Sequence, residues 1–169
     1  SNHWHPILLE RYQVGQKHRW SLSRRRMDSC VVKAVGVWFY CVRTRCYLYL
    51  LRNDSKYPDT WGLAGGKAES AESLIAAVER ECTEELGSMP EYQQLIPIEM
   101  FTSPDGGFEY HTFWCRVNHE FIPELNHEHV GYAWIHSGRL PRPLHPGLWN
   151  TVNLDAIQKK IASLEITCV

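Results

Sequence analysis

Apolar residues fall along the chain in short blocks parted by turn-forming residues, and the spacing within each block predicts its element. Residues 30–42, CVVKAVGVWFYCV, are dense in β-branched and aromatic side chains and predict a strand. Residues 45–52, RCYLYLLR, predict a second, with VRTR between them suited to a hairpin turn. NDSKYPDTWG, 53–62, has the Asn, Asp, Pro and Gly content of a loop. A helical period then takes over, and a helix is expected from about Ser70 to Leu86, with Ser70 as N-cap and Gly87 as its stop. QLIPIEMFTS (94–103) and FEYHTFWCRV (108–117) predict strands joined by the turn PDGG, and HVGYAWIHS (129–137) predicts another. RLPRPLHPG (139–147), with three prolines, is expected to be irregular. Residues 148–164 place Leu148, Val152, Leu154, Ile157, Ile161 and Leu164 near helical spacing and predict one last helix. Strands, helix, strands, helix is the order of an α/β protein, a mixed sheet with helices packed on it.

The first helix carries an unusual charge pattern. With Glu81 set at zero and about 100° per residue, Glu85 falls near 40° and Glu84 near 300°, so three carboxylates share an arc of about 100°. The apolar stripe of Ile75, Val78, Cys82 and Leu86 occupies about 60–140° on the same wheel. The acidic patch therefore borders the buried face and is expected at the lip of a cleft. Like charges at this spacing repel by about 0.2–0.5 kcal/mol per pair, so the cluster asks for a cation. Dense hard oxygen ligands suit Mg²⁺ or Mn²⁺. Arg80, near 260°, stands beside Glu84 and can hold it. Gly65 and Gly66 precede the helix, and glycine permits the positive φ and close backbone approach that a phosphate or metal loop requires.

Gly66, five residues, Glu72, seven residues, then Arg80-Glu81-Cys82-Thr83-Glu84-Glu85-Leu86-Gly87 resembles the Nudix box, the signature of the Nudix (MutT-like) hydrolase superfamily. Every glycine and charged position of the box is present. Cys82 and Ser88 stand at aliphatic positions, Ala64 where many members carry proline, and Ala71 where many carry glycine. The resemblance implies a Nudix-type α/β/α sandwich and hydrolysis of a nucleoside diphosphate linked to another group, with Mg²⁺ or Mn²⁺ as cofactor. It further implies that Glu81, Glu84 and Glu85 bind metal and act in catalysis, that the Gly65 carbonyl is a further metal ligand, and that Glu72 braces Arg80. Lys67, beside Gly66, is similar in place to a residue that reaches phosphate. The family implies a carboxylate supplied from outside the helix, and Glu128, just before a strand, is the candidate, ahead of Glu124. His127 and His129 are candidates for phosphate contact, and His145 for a pocket wall.

Composition adds boundaries to this picture. Hydrophobic residues make up 44% and charged residues 22% of 169, ordinary for one globular domain. No apolar run reaches the length of a membrane span. The beginning of the chain, SNHWHPILLERYQ, lacks the cationic start and apolar core of a signal peptide. None of the six cysteines forms C-x-x-C, which suits reduced thiols in a cytoplasmic protein. The net charge is −1, yet residues 1–33 carry seven basic against two acidic residues, +5, leaving −6 beyond. A basic extension over 1–29 and a Nudix domain over 30–169 are expected, the extension serving an edge or a homodimer contact and not binding a nucleic-acid polymer. The motif leaves the nucleotide substrate open. Two other readings remain: a Nudix-fold isopentenyl-diphosphate isomerase, and a nucleotide-binding module without turnover.

Overall fold

The computed structural model describes residues 31–168, so the basic N-terminal segment lies outside the described residues. Seven strands form one sheet: β1 (Val32–Cys41), β2 (Cys46–Arg52), β3 (Trp61–Gly62), β4 (Ala64–Lys67), β5 (Gln94–Thr102), β6 (Phe108–Val117) and β7 (His129–His136). Helix α1 (Leu74–Leu86) follows β4, and α2 (Pro146–Val152) and α3 (Asp155–Ile166) follow β7.

Strand β1 is the hub. It runs parallel to β6 over its whole length and antiparallel to two shorter partners, β4 at Ala34–Val37 and β2 at Tyr40–Cys41. The sheet is therefore mixed. Alternate residues of β1 enter opposite cores, which is why its sequence runs without a charge from Ala34 onward instead of alternating. Val35, Val37, Phe39 and Cys41 pack with Ala77, Val78, Cys82 and Leu86 of α1. Trp38 and Tyr40 pack with Tyr47, Tyr49 and Trp114 beneath Leu148, Val152 and Ile157. One helix on one face and two on the other make the α/β/α sandwich.

Four local features differ from the expected pattern. β3 and β4 were hidden inside a loop-like, glycine-rich stretch, because two- and four-residue strands show no period. Helix α1 starts at Leu74, not Ser70: Ser73 is the N-cap, its Oγ accepting from Ala76 N at 3.1 Å. Residues before it turn instead, with Ala71 at φ 64°, and the turn brings Glu72 back toward Arg80. The last helix is two, α2 and α3, because Leu154 is extended (φ −77°, ψ 124°). On one straight helix Ile157 would point about 140° away from Val152; the break lets both enter the same core.

Candidate active site

The carboxylates converge where α1 crosses β4. Gly65 sits at φ 151°, and a Cβ there would lie 1.9 Å from the Val35 carbonyl oxygen. With no side chain, its N–H reaches Glu85 and donates to Oε2 at 2.6 Å. A Cβ on Gly66 would stand 2.7 Å from the carboxylate of Glu81. Gly65 is thus a steric requirement of the close approach of β4 to β1, and Gly66 of the seating of Glu81 on β4.

Arg80 organises the other side. It grips Glu72 with two hydrogen bonds, Nε to Oε2 at 2.9 Å and Nη2 to Oε1 at 3.0 Å. Its Nη2 also donates to the Lys67 carbonyl at 2.9 Å, and Nη1 to Glu81 at 3.0 Å and Glu84 at 3.4 Å. This fork geometry is one that lysine lacks. The hydrogen bonds to Arg80 hold the Glu72 carboxyl below the ordinary glutamate range.

Glu81 and Glu85 are buried, while Glu84 is exposed. The acidic face thus reaches deeper than a cleft lip. Burial raises the Glu81 carboxyl against the pull of Arg80, with Glu84 and Glu128 adding to the rise. Burial pushes Glu85 up to about 9 despite the Gly65 N–H, and the hydrogen-bonded Glu128 side chain and Glu81 push the same way. Glu128 therefore does arrive beside the helix carboxylates, carried by the loop before β7. Its N–H is held by Asn126 Oδ1 at 3.0 Å, and its carbonyl accepts from Asn53 N at 2.9 Å. Glu124 does not join them; it packs at the end of α1 against Gly87.

The remaining candidates separate. Lys67 is exposed at the end of β4. His127 is exposed, and its carbonyl accepts from Asn53 Nδ2 at 3.1 Å. His129 is buried, its Nδ1 4.0 Å from Glu85 Oε1. His145 caps α2, its Nδ1 accepting from Gly147 N at 3.0 Å, with the Tyr57 ring edge-on to it. Cys82 is fully buried and its thiol is driven well up by desolvation, a packing residue. Sequence reasoning missed Arg52, whose guanidinium pairs with Asp54 beside this site. The available signal was a single charge ending an apolar strand.

As they stand, no three carboxylate, histidine or cysteine side chains among the described residues are arranged to grip a metal ion. The donor chemistry nevertheless fits one. Two buried carboxyls forced toward the neutral form are the groups a hard divalent cation would stabilise as anions, with Glu84 and Glu128 adjacent.

The sequence model of the NUDIX domain matches residues 32–154, spanning the sheet, α1 and the whole acidic constellation. The chain belongs to the Nudix hydrolase family. It is 32% identical over 104 residues to a nucleoside triphosphatase, NudI, of Salmonella arizonae, covering 53% of this chain and 72% of that protein. A Nudix hydrolase from M. smegmatis, RenU, shares the fold with a TM-score of 0.59 at 18% identity, covering 82% of this chain and 87% of its own. A MutT NUDIX hydrolase from Burkholderia pseudomallei does so at 0.53 and 23%, covering 75% of this chain and 96% of its own. This Nudix protein is a pyrophosphohydrolase of nucleotide derivatives.

Proposed function

We propose that the protein hydrolyses a nucleoside diphosphate linked to another group, nucleoside triphosphates included, with Mg²⁺ or Mn²⁺ held by Glu81, Glu84, Glu85 and the Gly65 carbonyl. The observation that carries this reading is the seating of Glu81 and Glu85, both buried, on the Gly65–Gly66 backbone beside Glu128. Without a cation the arrangement costs stability. The intact box and the likeness to a nucleoside triphosphatase support the same reading. When bound, the cation would neutralise diphosphate charge and lower the pKa of a water. Arg80 holds Glu81 and Glu84 in register through its fork. Glu128, on a loop fixed by Asn53 and Asn126, is assigned the proton acceptor for the attacking water. Lys67 is assigned a phosphate contact from the open end of β4.

The localisation we propose is cytoplasmic. Cys41, Cys46, Cys82, Cys115 and Cys168 are free thiols, and no helix among the described residues is long and apolar enough to cross a membrane. We assign residues 1–29 a structural or homodimer role, not nucleic-acid binding. The deciding experiment is a panel of nucleoside triphosphates, nucleotide sugars, ADP-ribose and dinucleoside polyphosphates assayed for released products with Mg²⁺, Mn²⁺ or EDTA. Cleavage with either metal and none in EDTA is expected. A panel without any cleavage, or cleavage untouched by EDTA, would overturn the reading.

A further inference from the structure

The face of the sheet turned away from α1 holds a cavity of about 320 Å³. Trp38, Tyr47 and Tyr49 form its floor, and Ile157, Ile161 and Ala162 line it from the α3 side. The turn after β7 supplies its rim. The acidic site is remote from it. Tyr47 and Arg52 stand five residues apart on β2, roughly 17 Å at the rise of a strand. It is the Arg52 end that pairs with His129 beside Glu85. The carboxylates also sit on α1, across the sheet from the core to which the three rings belong.

Two polar groups of this cavity lack a counterpart. Trp38 is 5% exposed, and its Nε1–H is buried without a hydrogen bond; the Tyr49 hydroxyl lies beside it but out of line. Tyr47, packed on Trp38 with ring centroids 4.6 Å apart, cannot serve it either. Its hydroxyl already accepts from Trp114 Nε1 at 3.0 Å and donates to Glu165 Oε1 at 2.8 Å. Native proteins pair nearly all buried donors, so the Trp38 N–H asks for an acceptor. Glu165 is the second group. Tyr47 takes one of the roughly four acceptor sites of a carboxylate, and no cation among the described residues forms an ion pair with it.

The two demands together select the ligand. An amine would suit Glu165 and leave the indole donor unanswered. An anion would suit Trp38 and meet the charge of Glu165, while Arg139 at the rim is exposed and screened by solvent. A group with an acceptor and a donor on one edge answers both, and an aromatic floor favours a flat one. The volume is at the low end of the 300–1,000 Å³ or so of ligand clefts, which suits one or two fused rings. We propose that this cavity binds a neutral planar heterocycle of nucleobase size, its acceptor on Trp38 Nε1 and its N–H on Glu165, separately from the site of hydrolysis.

The test is ¹⁵N NMR of the tryptophan indole groups in EDTA, titrated with adenine, hypoxanthine, cytosine and uracil, and with choline as a cationic probe. The Trp38 indole signal is identified by its loss in Trp38→Phe. At least one base should move it with a dissociation constant below about 1 mM, and choline should not. Ala162→Phe, at an exposed position of α3 that lines the cavity, should weaken that base tenfold or more by filling the space. Glu165→Gln should weaken it at least threefold, and Glu85→Gln should leave it within twofold. Nucleotide cleavage by Ala162→Phe should stay within twofold of wild type. No movement with any base, an affinity untouched by Ala162→Phe, or a response to choline alone would overturn the proposal. So would a loss of base affinity in Glu85→Gln, which would put the base in the acidic site. If Ala162→Phe does not fold, Glu165→Gln decides by its own criterion.

Discussion

Glu85 should make the metal-free protein lose stability as pH rises. Its carboxyl is raised from 4.5 to about 9, chiefly by burial. Between those values the folded protein holds a proton that the unfolded chain has released, so stability is full below the unfolded pKa and declines toward the folded one. One site of this kind changes stability by at most about 1.4 kcal/mol per pH unit. From about pH 5.5 to 8.5 the ceiling is therefore about 4 kcal/mol, and coupling to Glu81 and Glu128 with local water entry brings the expectation to about 2 kcal/mol. Glu85→Gln keeps the shape and an oxygen for the Gly65 N–H but cannot ionise. Urea unfolding in EDTA at three pH values, wild type against Glu85→Gln, measures the difference directly. The variant should be the more stable protein at about pH 8.5 and should converge on the wild type near pH 5. Parallel stability curves for the two proteins would refute the reasoning.

Three further outcomes follow from particular contacts. Ala71→Gly should stabilise by about 0.5–1 kcal/mol in thermal unfolding, because an L-residue at φ 64° is strained and glycine is not, less glycine's added chain entropy. Gly66→Ala should leave the fold intact but weaken Mn²⁺ binding about tenfold in calorimetry, since its Cβ would come 2.7 Å from the Glu81 carboxylate, the movable end of a side chain. Glu128→Gln should lower kcat by about 10²-fold or more with KM little changed, while Glu124→Gln, packed at the end of α1, stays near wild type; wild-type kcat for Glu128→Gln would move the base elsewhere.

Elements with a strong period were legible in the sequence. β6 matched at both ends, and β1, β2, β5 and β7 within two residues, because apolar runs and the turn PDGG mark them. The carboxylate arc was legible because a helix converts spacing into angle. The start of α1 was not: two serines, Ser70 and Ser73, each suit a cap, and what selects Ser73 is the tertiary grip of Arg80 on Glu72. The split between α2 and α3 was hidden because its reason, aiming Ile157 and Val152 into one core, exists only once the sheet is in place. Arg52 was missed for a similar cause. A charge ending a strand looks like ordinary solvation until β7 pairs beside it and buries its Nε.

The depth of Glu81 and Glu85 changes how the helix is understood. A solvated acidic face would tolerate any sequence in the facing loop, since exposed carboxylates need no backbone approach. Here Gly65 must lack a Cβ for the sheet to close, and Gly66 must lack one for Glu81 to sit where it does. The glycines and the glutamates are thus one steric unit built from residues about 20 apart, and Arg80 ties the unit to the turn through Glu72 and the Lys67 carbonyl. Such packing desolvates neighbouring carboxyl groups, so that ionising them lowers the stability of the protein standing alone. A site whose protein-only state is unfavourable by charge gains most when an ion of opposite sign arrives. The spacing of the box therefore records a geometry that is costly in isolation and useful only when a cation completes it.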